Sequence, residues 1–120
     1  MRGVKSTTAT HWVTINALPS GYTLEKTYKI ISLSATVSGT SMLYECTADK
    51  SVTNFISTDS ACEGFTLIQK LGYIYKAYQT NTAALYRCYI YLKDHFVSSN
   101  STCEQSFVTN EGSLGYYILS

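Results

Sequence analysis

Three positions with hydrogen-bonding side chains recur along the chain at intervals of 41 or 43 residues. The first holds Thr10, Thr53 and Asp94, the second His11, Asn54 and His95, and the third Asn16, Asp59 and Asn100. Carboxylate and amide oxygens accept hydrogen bonds from neighbouring hydroxyl groups, and His or Asn nitrogens donate to them. Beside an aromatic face, such a set can hold a polyhydroxylated ligand. At strand ends, the same Asn and Asp residues can instead close turns.

These positions belong to a repeat that extends along the whole chain. The segment "LYEC" at 43–46 returns 42 residues later as "LYRC" at 85–88, and "LGY" at 71–73 returns 43 residues later at 114–116. A third, more diverged copy at the N-terminus carries "HWVTIN" at 11–16, which matches "NFISTD" at 54–59 and "HFVSSN" at 95–100. A fixed period of this size is the mark of a repeat architecture. We expect one domain, 1–120, built from repeats of approximately 1–40, 41–82 and 83–120.

The composition of each repeat is typical of β-strands. "LYRCYIYL" and "LGYIYKAY" are rich in β-branched and aromatic residues, and polar clusters such as "STDS" and "SSNST" separate such runs. No window shows a convincing helical period, so we predict an all-β protein with about four short strands in each repeat. Three such units are too few for a propeller, and they favour a β-trefoil with pseudo-threefold symmetry.

In length, repeat number and strand pattern, the sequence resembles the β-trefoil lectins. The Gln-x-Trp signature of the ricin type is missing, and Trp12 is the only Trp. The units are also similar to repeat modules of secreted proteins built on Leu-Tyr-x-Cys, Asp-His-Phe and Leu-Gly-Tyr. The resemblance implies a lectin with up to three shallow sugar sites, whose partners are glycans or glycoproteins. The expected sugar contacts are Asp94, His95, Asn100, Asn54, Asp59, His11, Asn16 and Tyr91.

Apolar residues at equivalent positions of the three copies predict the core. These sets are Trp12, Phe55 and Phe96; Tyr22, Phe65 and Phe107; and Val13, Ile56 and Val97, with Leu71 and Leu114 in two copies. Gly72 and Gly115 recur together. They predict a backbone position with positive φ or a close approach of another chain segment.

The repeat also selects among the three possible pairings of the four Cys. Cys46 and Cys62 hold the same positions in the second copy as Cys88 and Cys103 in the third, and the first copy lacks both, near Val4 and Pro19. We therefore predict disulfides Cys46–Cys62 and Cys88–Cys103. A four-Cys metal site needs closely spaced pairs, so no metal is expected. Disulfides indicate an oxidising, extracellular location. Asn100-Ser101-Thr102 is a possible glycosylation site in a eukaryotic secretory pathway.

The charge and residue inventory disfavours several other classes. The net charge is +1, which gives no attraction to nucleic acid, and no apolar segment approaches the ~20 residues of a membrane-spanning helix. The chain has two His and no recognisable nucleophile or phosphate loop, so neither catalysis nor a cofactor is expected. The alternatives are a protein-binding trefoil, such as a protease inhibitor or cytokine-like ligand, and a targeting or stabilising module of a larger secreted protein.

Overall fold

The structure, a computed structural model, describes residues 1–5, 10–49, 53–90, 94–105 and 107–119. These residues form strands and one short 3-10 turn at Cys62–Gly64. The strands are β1 (Arg2–Lys5), β2 (Thr10–Val13), β3 (Tyr22–Lys26), β4 (Thr40–Asp49), β5 (Thr53–Ser57), β6 (Thr66–Tyr75), β7 (Thr82–Ile90), β8 (Asp94–Ser98) and β9 (Thr109–Ile118). The predicted all-β class is therefore confirmed. Within the described ranges, no helix is long and apolar enough to cross a bilayer.

The strands form three units with the same internal order. Unit 1 is β2-β1-β3, unit 2 is β5-β4-β6 and unit 3 is β8-β7-β9. The register also repeats, because Gly3 pairs with Trp12, Cys46 with Phe55, and Cys88 with Phe96. Each unit has three described strands where the sequence predicted four. The long strands β4 and β7 bend at bulges after Leu43 and Leu85, and thereby remain continuous where separate strands were expected.

The last segments of the three units contact one another in a ring. Ile31 bridges to Tyr73, Tyr75 pairs with Tyr116, and Lys29 bridges to Ile118. Gly72 and Gly115 allow this approach. A Cβ on Gly72 would lie 2.5 Å from the Ile31 carbonyl oxygen, and a Cβ on Gly115 would lie 2.6 Å from that of Tyr75. Their φ angles of 153° and 141° are also positive, so the prediction for these two glycines is confirmed on both grounds.

The core lies where β2, β5 and β8 converge. Val13, Ile56 and Val97 are buried there together with Leu43 and Leu85. Phe55 and Phe96 are buried at the edges of this region, as predicted, and Trp12 is partly buried.

The prediction that Phe65 and Phe107 belong to the core is wrong. Their exposed fractions are 56% and 68%, and Tyr22 at the equivalent position is half-buried. Phe65 follows Glu63 and Gly64, which have φ angles of 58° and 96°. This left-handed turn precedes the exposed ring, which makes a T-shaped contact with Phe55 at a centroid distance of 5.8 Å.

The disulfides join Cys46 to Cys62 and Cys88 to Cys103, as predicted. Each is fully buried beside a ring of its own unit, so units 2 and 3 each have a small satellite core. The presence of two disulfides is consistent with an extracellular protein.

In unit 1, the position of the first Cys is held by Gly3 rather than by Val4, because Gly3 is the residue that pairs with Trp12. Leu18 approaches to 2.6 Å from where a Gly3 Cβ would stand. An apolar side chain therefore fills the space that a cystine occupies in the other two units.

Candidate functional site

The most elaborate polar site lies between units 2 and 3 and is centred on Arg87. Its Nη1 donates to the Ile56 carbonyl oxygen at 3.1 Å and to Glu63 Oε2 at 2.5 Å, and its Nη2 donates to Glu63 Oε1 at 3.1 Å. Its Nε donates to Glu111 Oε1 at 2.9 Å. A bidentate contact of this kind fixes both the guanidinium and the carboxylate. Arg87 of unit 3 is thus bonded to backbone and side chain of unit 2.

A turn orients the carboxylate of Glu63 toward Arg87, and a β-bulge orients that of Glu111. Asp59 accepts the backbone N–H of Glu63 at 2.8 Å, and Ser57 Oγ donates to Glu63 Oε2 at 2.6 Å. Glu111 lies at a β-bulge, because Arg87 pairs with Gly112 and Cys88 with Asn110, so that Glu111 is skipped. Bulges re-aim a side chain relative to its strand. Here the bulge points Glu111 toward Arg87.

An imidazole and aromatic rings complete the site. His95 Nε2 lies 3.2 Å from Glu111 Oε1, and the His95 ring lies 5.4 Å from that of Phe55. The guanidinium of Arg87 stands over the Phe55 ring at 5.5 Å. A cavity of about 210 Å³ opens between these groups. We call this set the 2–3 cluster: Phe55, Glu63, Phe65, Arg87, His95 and Glu111.

The electrostatics of the 2–3 cluster fix its protonation state near neutral pH. The hydrogen bonds from Arg87 lower the pKa of Glu63 to about 2, and the hydrogen bond to Glu63 raises the pKa of Arg87. Burial lowers the pKa of His95. The described ionisable groups are then one guanidinium, two carboxylates and a neutral imidazole, with a net charge of −1. This charge disfavours an anionic ligand.

Five of these six residue types meet a second time, between units 3 and 1. We call this set the 3–1 cluster: Phe96, Glu104, Arg2, His11 and Glu25. Phe107, which follows Glu104 in the sequence, is 68% exposed. Arg2 donates to the Val97 carbonyl oxygen at 3.0 Å, to the two Glu104 oxygens at 2.7 and 3.2 Å, and to Glu25 at 3.1 Å. Glu25 occupies the same bulge as Glu111, because Gly3 pairs with Leu24 and Arg2 with Lys26.

The remaining contacts of the 3–1 cluster also match. His11 Nε2 lies 3.2 Å from Glu25, and Arg2 stands over Phe96 at 5.4 Å. The hydrogen bonds from Arg2 lower the pKa of Glu104 to about 2. Two features differ. Asp94 bonds both the backbone N–H and Nδ1 of His11, and the His11 ring stacks on Phe96 at 4.5 Å, closer than the 5.4 Å between His95 and Phe55. The His11 side chain is 12% exposed, against 24% for His95.

The third junction, between units 1 and 2, is built differently. Glu45 stands where Arg2 and Arg87 stand, and it accepts hydrogen bonds from Thr14 Oγ1 at 2.8 Å and from Asn54 and Gln69 at 2.9 Å. Ser20 and Ile68 hold the positions of the two Glu residues. Ile68 again lies at the bulge, between the partners of Glu45 and Cys46. This junction is a buried network centred on one carboxylate.

Two residues predicted to contact a sugar are interior residues, and this prediction is corrected. Asn54 is fully buried and bonds the Val13 backbone N–H at 3.1 Å and the Val13 carbonyl oxygen at 2.6 Å. Asp94 is buried against His11. Their polar atoms join neighbouring units, because each lies where two units meet. Neither presents a surface to a ligand.

The other predicted contacts divide between turns and the clusters. Asp59 and Asn100 are exposed and close equivalent turns, in which Asn100 Oδ1 accepts the Thr102 backbone N–H at 2.9 Å. Asn16 is also exposed, and its backbone N–H donates to Thr14 Oγ1. His95 and His11 lie in the two clusters. Tyr91 lies outside the described residues, as do the side chains of Thr10 and Thr53.

The Arg and Glu residues that form the clusters were not predicted, because they do not keep one character in all three copies. Each cluster draws Arg, His and one Glu from one copy and the other Glu from the preceding copy in the ring. The available signals were Cys-Glu in two copies, the Arg2–Arg87 spacing of 85 residues and the Glu25–Glu111 spacing of 86 residues. Both spacings are about two repeat periods.

Comparisons with protein-family models, with curated proteins and with solved structures found no match. Among the described residues, no group of three His, Cys, Asp or Glu side chains is placed to hold a metal ion. The contacts and charges of the two clusters are therefore the basis for assigning a function.

Proposed function

We propose that the chain is a secreted carbohydrate-binding β-trefoil without catalytic activity, and that its principal sugar site is the 2–3 cluster. The observation that carries this proposal is the exposed Phe65 ring beside a cleft lined by Glu63, Glu111, Arg87 and His95. An aromatic face accepts the apolar C–H face of a pyranose. The carboxylate oxygens accept hydrogen bonds from its hydroxyl groups.

The trefoil assignment is supported by the identical strand order and register of the three units. It is further supported by the ring of contacts between their last segments, which joins unit 1 to 2, 2 to 3 and 3 to 1. A trefoil closes in this cyclic manner from three similar units.

The hydrogen-bonding capacity of the cleft defines the class of sugar. Arg87 uses four of its five N–H groups on Ile56, Glu63 and Glu111, so little donor capacity is left for a ligand carboxylate or sulfate. Both carboxylates line the cavity, and the contacts from Arg87, Ser57 and His95 use only part of their capacity to accept hydrogen bonds. The site therefore favours a neutral or amino sugar, which supplies donors, over an acidic one.

The same charges argue against glycoside hydrolysis. A glycosidase needs one carboxylic acid that stays protonated near the working pH. Arg87 holds the pKa of Glu63 at about 2, so this group is ionised at neutral pH and cannot act as a general acid. Glu111 is bonded to both Arg87 and His95. These contacts suit a rigid binding surface.

A glycan array that contains neutral and acidic sugars tests the proposal, with the oxidised protein and calorimetry on each hit. We expect neutral or amino sugars to bind, and Phe65→Ala to weaken binding about tenfold, which corresponds to about 1.4 kcal/mol. Tyr78→Ala is the matched control, since Tyr78 is also an exposed ring, at 67% against 56% for Phe65, and packs on Tyr116, outside the cluster. A blank array, or equal effects of the two variants, would contradict the proposal.

A protein partner is the second candidate, favoured by the exposed apolar side chains next to Phe65. Leu67 and Ile68 are 45% and 41% exposed on the same strand end. If the array is blank, these two residues become the first positions to alter in a search for a protein ligand.

A further inference from the structure

We infer that the chain carries two sugar sites of one kind, at the 2–3 and 3–1 junctions, and none at the 1–2 junction. This inference rests on the carbohydrate-binding function proposed above. The sequence predicted one sugar site within each repeat, whereas the two sites inferred here lie at the boundaries between repeats. A chain with two sites on one rigid body gains avidity for clustered glycans.

The second site is inferred from the Arg–Glu contacts that the two clusters share. At the 3–1 junction, Arg2 holds Glu104 and Glu25 as Arg87 holds Glu63 and Glu111, with corresponding distances that agree within 0.2 Å. Asp94, which bonds His11, brings a third carboxylate to this cluster beside Glu104 and Glu25. A surface depression reaches this cluster at Glu104 alone, and its other lining residues are Thr102, Gln105 and Val108. The exposed ring of Phe107 follows three residues after Glu104.

The two sites are unequal because Asp94 holds His11 in place. This contact occupies Nδ1 of His11, while the more exposed His95 packs on the Tyr89 ring at 4.6 Å. The imidazole of the 3–1 cluster therefore offers one hydrogen bond fewer to a ligand. We expect the 3–1 site to bind about threefold to tenfold more weakly than the 2–3 site.

The 1–2 junction is excluded as a sugar site because its carboxylate is buried and already hydrogen-bonded within the protein. Glu45 is 2% exposed and bonds Thr14, Asn54 and Gln69. The bulge that presents Glu111 and Glu25 at the other junctions presents the apolar side chain of Ile68 here.

Two-dimensional NMR of the oxidised protein tests this inference, because backbone amide shifts report each junction separately. The probes are methyl β-galactoside and methyl N-acetyl-β-glucosaminide. We expect one of them to shift the amides of Phe65 and Gly112 at the 2–3 junction. It should also shift those of Gln105 and Glu25 at the 3–1 junction, with a weaker affinity, while the Ser20 amide at the 1–2 junction stays unchanged.

Single substitutions then separate the sites. Glu111→Gln should weaken binding at the 2–3 junction at least about tenfold and leave the 3–1 shifts unchanged, and Glu25→Gln should do the reverse. Ser20→Ala, at the exposed Ser of the 1–2 junction, is the control that should leave both sets unchanged, and the spectra report folding of every variant. Shifts at the 2–3 junction only, or at all three, would overturn the inference and leave the proposed function standing. Shifts at the 3–1 junction only would overturn the inference and the placement of the principal site. No shift with either sugar would overturn both.

Discussion

The junction between units 1 and 2 differs from the other two in how it stabilises the contact between neighbouring repeats. At the 2–3 and 3–1 junctions, an Arg from one unit reaches a backbone carbonyl and a Glu of its neighbour. At the 1–2 junction, Glu45 takes the Arg position and accepts hydrogen bonds from neutral side chains. The same backbone position therefore carries opposite charges in different copies.

The 1–2 junction keeps the strand register of the other two junctions. Its polar residues, however, are all different, which shows that the residues of a junction change together. An Arg at this position needs a Glu in the preceding turn, and unit 1 has Ser20 there. The replacement of Arg by Glu is accompanied by Asn54 and Gln69, which supply the donors. A buried charge is stable only when its partners are present together. At each junction, the charged residue at this position and its hydrogen-bonding partners therefore form a matched group.

The largest expected effect comes from placing the Arg of the other junctions at the 1–2 junction. Glu45→Arg buries a guanidinium among groups that have lost their acceptor, so we expect the free energy of unfolding to fall by about 3–5 kcal/mol. Urea denaturation monitored by circular dichroism measures the change. The triple variant Ser20→Glu, Glu45→Arg and Ile68→Glu rebuilds the charge set of the 2–3 cluster and should recover part of that loss. If the triple variant is no more stable than Glu45→Arg, the three junctions are not interchangeable groups.

A smaller effect is expected when the two clusters are compared with each other. Arg2→Met and Arg87→Met remove the guanidinium and keep most of the apolar volume. The Arg2 side chain is 4% exposed and that of Arg87 16%, so we expect losses of about 2–3 and about 1–2 kcal/mol, because solvent screens the second cluster more. Thermal and urea unfolding would rank the two variants. The opposite order would show that exposure does not set the strength of these clusters.

The sequence predicted the parts of this molecule that each repeat specifies by itself. Apolar positions such as Val13, Ile56 and Val97 point inward in every unit, so a single repeat period was enough to assign them. The disulfides close loops within one unit and were predictable for the same reason.

The clusters were not predictable in this way, because Arg87 and Glu63 come from different units. Their meeting depends on how the units pack and on the bulge that turns Glu111 toward them. The exposure of Phe65 was not predictable either, because it depends on the two residues with left-handed backbone conformation that precede it. Burial of Asn54 could not be read from its polar type, because its partners Val13 and Glu45 belong to other strands.

The smallest expected effect is a loss of stability in acid that the two clusters share equally. Glu63 and Glu104 have ordinary pKa values of 4.5, which their Arg partners lower to about 2 in the folded protein. A carboxyl whose folded pKa is depressed contributes its full stability above the unfolded value and loses it as the pH falls toward the folded value. The free energy of unfolding should therefore decline between about pH 5 and pH 2. Both side chains are partly exposed, so each contributes less than about 1 kcal/mol.

Urea unfolding of Glu63→Gln and Glu104→Gln across this pH range separates the two contributions. Each variant should lose about half of the acid dependence between pH 5 and pH 2, and the double variant should lose most of it. An unequal division would show that the two clusters, alike in their contacts, differ in how solvent screens them.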